Sequence, residues 1–283
     1  MIKRLQVFFE MIKVEHTLFA LPLAYMGMVI GASGFPSWRI FLWITACMVT
    51  LRTAAMSLNR LIDRLIDKQN PRTASRALCQ NQISALLVLV ISVVCCALFV
   101  VCAAQLNRIC FYLSPIPLVL IVLYPYMKRW SWLCHYVLGA ALACAPIGGW
   151  LAVTGEIVAP MYLLFFASFF WVGGFDIIYA LQDWEFDQQA GLHSIPSIFG
   201  PHQALRLSRL SHGLMLILLL SFVLMMGYGW PLSLGVALTA IFLWREQRLA
   251  FTLEKGKIMQ AFFHMNVRVS LTLLLATVME MII

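Results

Sequence analysis

Long apolar blocks, each closed by Gly, Pro or a knot of charge, recur along this chain and leave few folds open to it. They run over 17–33, 40–62, 83–104, 109–127, 133–153, 160–181, 206–227, 231–244 and 261–283. All but the short eighth block have the length, about 17–25 residues, of a helix that spans a bilayer. Hydrophobic residues make up 62% of the chain and charged ones 11%, where a soluble domain carries about 25% charged residues. The expectation is an all-α, polytopic membrane protein with nine spans. No linker or low-complexity segment divides residues 1–283, so they are expected to form a single domain. A cleaved leader is not expected: 17–33 is apolar enough, but an amphipathic stretch precedes it and further spans follow.

Charge gives these spans a direction. With nine spans and the N-terminus inside, every Lys and Arg except Arg39, Arg52 and Arg108 falls in or beside the cytoplasmic segments, a strong positive-inside bias. The C-terminus is then outside. The net charge of +8 is accounted for by topology, and no nucleic-acid partner is expected. The eight Cys show no CxxC and the six His no HExxH spacing; the Cys read as small apolar fillers.

Against this background two acidic clusters stand out. The second span ends in NRLIDRLIDKQNPRTASRAL, and the sixth ends in FDIIYALQDWEFD followed by GLHSIPSIFG. On a continuous helix Arg52, Asn59, Asp63 and Asp67 fall within an arc of about 80°, and Asp176, Asp183 and Asp187 within about 40°. Glu185 points the other way. Both clusters belong to the cytoplasmic face, a weak internal echo between two halves of the chain. Ionisable residues in a membrane are costly and mark functional sites. Mg²⁺ takes one or two carboxylates plus substrate phosphates, so two such clusters can hold metal ions against a diphosphate, with Arg and Lys on the remaining oxygens. A membrane-embedded diphosphate is expected to be a prenyl one, whose ionisation needs a stabilised leaving group and a dry, aromatic-lined cavity.

These motifs resemble those of the UbiA superfamily of intramembrane aromatic prenyltransferases. The likeness covers nearly the whole chain and is carried by RTAAMSLNRLIDRLID with NPRTASR, by FDIIYALQDWEFD with GLHSIPSIFG, and by YPYMKR. It implies nine transmembrane helices around a cytoplasm-facing cavity and the use of Mg²⁺ with a polyprenyl diphosphate. Asn59, Asp63 and Asp67 would form one metal–diphosphate site, and Asp183 and Asp187 the other. Arg72, Arg76, Lys128 and Arg129 would grip phosphate oxygens, with Lys68 a weaker candidate. Tyr179 and Asp176 would face substrate, and Arg52, inside a span, would meet the acceptor's carboxylate. Tyr124 and His16 read as packing residues and Asn266 as a helix–helix hydrogen bond. The chain departs from the family pattern twice: Asn59 is followed by Arg60 rather than Asp, and RALCQN stands where RPLPSG is usual.

The acceptor expected from the likeness is an aromatic acid of respiratory quinone biosynthesis, 4-hydroxybenzoate or 1,4-dihydroxy-6-naphthoate, and the location is the bacterial inner membrane. The competing reading is a secondary transporter, whose carboxylates would bind a cation near the bilayer centre on broken helices.

Overall fold

The computed structural model describes residues 2–13 and 17–283, and among them there is no β-strand. The chain begins with α1 (Ile2–Ile12), α2 (Thr17–Ala32), α3 (Trp38–Ile62) and the short α4 (Arg64–Gln69). After a turn-rich loop come α5 (Ala85–Leu106), α6 (Arg108–Leu113), α7 (Pro115–Met127) and α8 (Cys134–Thr154). The second half holds α9 (Ala159–Ala180), the short α10 (Trp184–Gln189) and α11 (Ile195–Phe199), and α12 (Pro201–Met226). It closes with α13 (Trp230–Phe251), α14 (Lys255–Gln260), a π-helical turn (Ala261–Met265) and α15 (Asn266–Ile282).

Seven of these segments are long and apolar enough to cross a membrane, with α6–α7 and α14–α15 each counted as one. The shorter α2 and the more polar α13 occupy the first and eighth expected places. Helix ends follow local chemistry. Ser84 caps α5 by accepting from the Leu87 N–H at 3.2 Å. Gly155 and Gly227 close α8 and α12 at φ 67° and 70°, a left-handed turn that side chains resist.

Two expected boundaries shift. The fourth span is broken at Ser114–Pro115, because proline cannot donate to the ladder. The eighth was expected to stop at residue 244 but runs on to Phe251. Its polar residues find partners inside the bundle instead of ending the helix. The Glu246 carboxylate, fully buried, accepts from Asn266 Nδ2 at 2.8 Å, and Gln247 donates to the Ser208 hydroxyl at 2.8 Å. Asn266 in turn accepts from the Trp171 indole at 2.8 Å, so it ties α9, α13 and α15 together as a helix–helix hydrogen bond.

The helices close into a ring: α2 packs on α8, α8 on α9, α9 on α12, α12 on α13, α13 on α15, and α15 back on α2. Helices α3, α5 and α7 complete the bundle beside α8. In a membrane, where lipid is as apolar as leucine, such approach relies on small residues. A Cβ on Gly27 would lie 1.8 Å from the Pro146 carbonyl oxygen, and one on Gly149 would lie 2.1 Å from that of Ala24. The α2–α8 contact is therefore backbone against backbone. Gly149→Val should force these helices apart and cost about 1–3 kcal/mol of stability, read as a lower unfolding temperature in detergent. Gly148→Ala, whose new Cβ meets nothing within 4 Å, should leave that temperature unchanged.

Candidate active site

The two acidic motifs fold the same way. Helix α3 ends at Asp63, with φ −89° and ψ 4°, and the chain after α9 reaches Asp183 with φ −117° and ψ 4°. Both lie near the sparsely populated bridge region. Each is followed by a six-residue helix that carries the second Asp, whose N–H bonds back to the first Asp's carbonyl at 2.8 Å in both motifs. The expectation of a continuous helix is thus corrected: α3 breaks at Asp63, and α9 ends at Ala180, with a turn leading to Asp183. Asp is a weak helix former that competes for backbone hydrogen bonds, and the break turns both carboxylates of each pair into one cavity.

That cavity, about 240 Å³, lies between α3, α4, α7, α8, α9, α10 and the π turn. Asp63, Asp67 and Asp187 are buried, at 4%, 6% and 7% exposure. Asp63 faces Lys128 Nζ and Arg129 Nη2, each at 3.3 Å, and Asn59 Nδ2 reaches it at 3.4 Å. Burial still pushes the Asp63 carboxyl above its ordinary pKa, against the pull of Lys128. Asp67 is paired with Arg76. Asp183 takes both arms of the Arg72 guanidinium, Nε at 2.7 Å and a closer contact from Nη2, plus Asn70 Nδ2 at 2.8 Å. Burial alone would raise Asp183; the Arg72 hydrogen bonds outweigh it and hold the group below the usual carboxylate range. Asp187 has no ion pair among the described residues, and burial, with Asp183 adding to it, pushes it up to about 6.

The remaining candidates fall around this core. Asn59, Arg72, Arg76, Lys128, Tyr179 and Asp176 all line the cavity, and so does Tyr124. Tyr179 accepts from Arg72 Nη1 at 3.1 Å. Arg129 is turned toward the end of α3, donating to the Ile62 carbonyl at 2.8 Å. Lys68 is exposed outside the cavity, because α4 carries it opposite Asp67. His16 lies outside the described residues. Arg52 lines both this cavity and an apolar chamber beneath it, and its Nη2 reaches the Lys13 carbonyl at 3.5 Å.

Some site residues gave no signal in the sequence. Asn70 read as turn punctuation, yet its side chain bonds Asp183 and caps the Arg72 N–H at 2.9 Å. His135 is buried beside Asp176, Nδ1 to carboxylate 2.8 Å, while its Nε2 accepts the Ile195 N–H at 3.2 Å. That second bond fixes the neutral tautomer with the proton on Nδ1, so His135 donates to Asp176 and orients it.

Among the described residues no three His, Cys, Asp or Glu side chains converge as a cage. The donors fit Mg²⁺ nonetheless. They are hard carboxylate oxygens, two per motif, in buried positions that favour a cation, and Mg²⁺ keeps waters and substrate phosphates in most of its shell. Two further spaces adjoin the cavity. The apolar chamber, about 270 Å³, is lined by such residues as Ile44, Leu51, Phe99, Pro117 and Ile147. On the other side a polar vestibule of about 840 Å³ lies between α1, the 72–82 loop and the π turn.

Comparison with known proteins bears on what this architecture is. Residues 20–267 match the model of the UbiA prenyltransferase family. A protein of Tolumonas auensis named 4-hydroxybenzoate octaprenyltransferase is 33% identical over 202 residues, 71% of this chain and 68% of that one. One of the same name from Aliivibrio fischeri is 28% identical over 271 residues, 92% of each chain. Among solved structures, a UbiA homolog from Aeropyrum pernix K1 superposes with a TM-score of 0.86 and 32% identity, over 95% of this chain and 98% of that one. A UbiA homolog from Archaeoglobus fulgidus bound to GPP and Mg²⁺ shares the fold, with a TM-score of 0.72 and 19% identity over 96% and 99% of the chains.

The raised Asp187 makes a prediction about stability. Its folded pKa lies above its unfolded one, so ionising it opposes folding at neutral pH, and that cost fades as pH falls below about 6. Asp187→Asn should therefore stabilise the protein at pH 7.5 in chelator by about 1–3 kcal/mol. The gain should shrink toward pH 5 in a thermal-unfolding series.

Proposed function

Since the chain belongs to the UbiA prenyltransferase family, we propose that its polar cavity transfers a polyprenyl chain from polyprenyl diphosphate to an aromatic acid of respiratory quinone biosynthesis. One observation carries this reading. The four Asp of the two motifs and the basic side chains of Arg72, Arg76 and Lys128 share a cavity whose floor opens on an apolar chamber. That is the shape of a diphosphate headgroup with a hydrocarbon tail. A transporter's acids belong on half-helices at the bilayer centre, whereas these breaks fall at the ends of helices of 25 and 22 residues.

Asp63 and Asp67 would hold one Mg²⁺ and Asp183 and Asp187 the other, and metal bound there would supply charge neutralisation for the departing diphosphate. Arg72, Arg76 and Lys128 serve the phosphate oxygens, since each already sits within reach of a motif Asp. Tyr124, Tyr179, Phe175 and Phe262 wall the cavity, keeping water from the allylic carbon as its C–O bond breaks and facing a developing cation with ring electrons. The electron pair of that bond leaves with the diphosphate. The acceptor supplies the new pair from the ring carbon ortho to its hydroxyl and then loses that carbon's proton. Arg52, at the junction of the two spaces, takes the acceptor's carboxylate. The Asp-bearing face and the N-terminus are cytoplasmic and the C-terminus lies outside, in the inner membrane.

Activity should require Mg²⁺ or Mn²⁺ and vanish in EDTA. Asp63→Ala and Asp183→Ala should each remove more than about 99% of turnover while the protein still inserts. Arg52→Ala should raise the KM of the acid far more than that of the diphosphate. Full turnover in chelator would defeat the metal assignment.

A further inference from the structure

Arg60 stands where a third acid is usual, and the structure gives it an unusual setting. It lines both the reaction cavity and the polar vestibule. Arg72, Arg76 and Lys128 are each held by an Asp, but Arg60 is not. Its Nε donates to the Met11 carbonyl at 3.4 Å and its Nη1 to Asn59 Oδ1 at 3.1 Å, both uncharged acceptors. Nη2 has no acceptor among the described residues, and it is not among the polar atoms sealed from solvent. The nearby acid, Asp67, is already taken by Arg76, so the half-buried Arg60 guanidinium keeps hydrogen-bonding capacity that becomes favourable when an anion arrives.

The surroundings say which anion. The vestibule is lined by Lys13, Arg60, Arg72 and Arg76 against the carboxylate of Glu10, so it draws anions from water. A prenyl tail has its own apolar chamber on the far side of the cavity. A water-soluble aromatic carboxylate does not belong in that chamber, and on its way past four Asp it needs a cation at the entrance. Arg60 is at that entrance, joined through the Asn59 carboxamide to Asp63.

We propose that Arg60 and the vestibule form a threshold site that receives the carboxylate of the aromatic acceptor before the ring reaches the reaction cavity, distinct from Arg52 deeper in. This rests on the prenyl-transfer reading above and adds to it a residue that selects for an acid over its neutral analogue.

The test uses the full-length protein in lipid nanodiscs with Mg²⁺ and geranyl diphosphate. The acceptor is whichever of 4-hydroxybenzoate and 1,4-dihydroxy-6-naphthoate the wild type prenylates, assayed beside its carboxamide. Arg60→Ala should raise the KM of the acid about tenfold, leave that of the amide and of the diphosphate within about twofold, and flatten the fall of kcat/KM with ionic strength. If Arg60→Ala does not fold, Arg60→Lys and Arg60→Gln carry the same comparison, with lysine expected to keep most of the preference for the acid and glutamine to lose it. Equal rises in KM for acid and diphosphate would make Arg60 a phosphate ligand and overturn the proposal. An unchanged KM for the acid would reduce Arg60 to a tether of α1. Equilibrium dialysis of the labelled acid without diphosphate separates the two readings: binding that is lost in Arg60→Ala supports the threshold site even if no acceptor turns over, and no binding to wild type overturns it.

Discussion

Carboxylates held away from water at the ends of two long helices must be met by cations, and much of the cytoplasmic side is arranged around that requirement. Arg72 reaches from the loop after α4 to Asp183 on the other half of the chain, and Asn70 reaches the same carboxylate. Together they pull the 70–82 loop across the cavity mouth. Lys128 and Arg129, at the end of α7, do the same for Asp63. Each pair is partly buried, so neither partner is easily lost: removing one would strand the other's charge in a low dielectric. The pairs also preset the cavity for a ligand that brings both signs, since a metal can take over the carboxylates while phosphate oxygens take over the guanidinium groups.

The bundle sorts its solvents by depth. Apolar side chains surround the chamber under the acids, aromatic rings wall the cavity at the level of the acids, and charged and amide groups line the vestibule above. Behind the wall a separate hydrogen-bonded set, Trp171 to Asn266 to Glu246, fixes the π turn through Asn266 Nδ2, which also bonds the Phe262 carbonyl at 2.8 Å. Phe262 in turn rests on Tyr179, ring centres 4.5 Å apart. A π turn inside an α-helix is a frequent companion of functional sites, and here it carries a wall residue of the cavity.

What could be read from the sequence was what depends on near neighbours. Membrane spans are long runs with one property, and Asp63–Asp67 and Asp183–Asp187 are close enough to register as a pattern. What could not be read depends on partners far along the chain. Asn70 bonds a residue 113 positions away and His135 one 41 positions away, and neither carries a local mark of it. The eighth span was cut short because Glu246 and Gln247 look like a helix end until α12 and α15 supply their hydrogen bonds. Helical-wheel arcs placed each acidic pair on one face of an unbroken helix, whereas α3 ends at Ile62 and α9 at Ala180, and the chain turns before each second Asp.

The apolar chamber has a consequence for what the protein can measure. At about 270 Å³ it is at the lower limit of a pocket for one drug-sized molecule, far short of a long hydrocarbon tail. Ile116, among its lining residues, is 51% exposed on the outer face of the bundle, so the chamber continues toward lipid. A prenyl diphosphate seated as proposed would then touch protein only along the units nearest its diphosphate, the remainder lying in the bilayer. A ruler needs an end stop, and at Ile116 the chamber's lining meets the outer face instead. The length of the tail on the product would accordingly be dictated by whichever diphosphates the membrane contains.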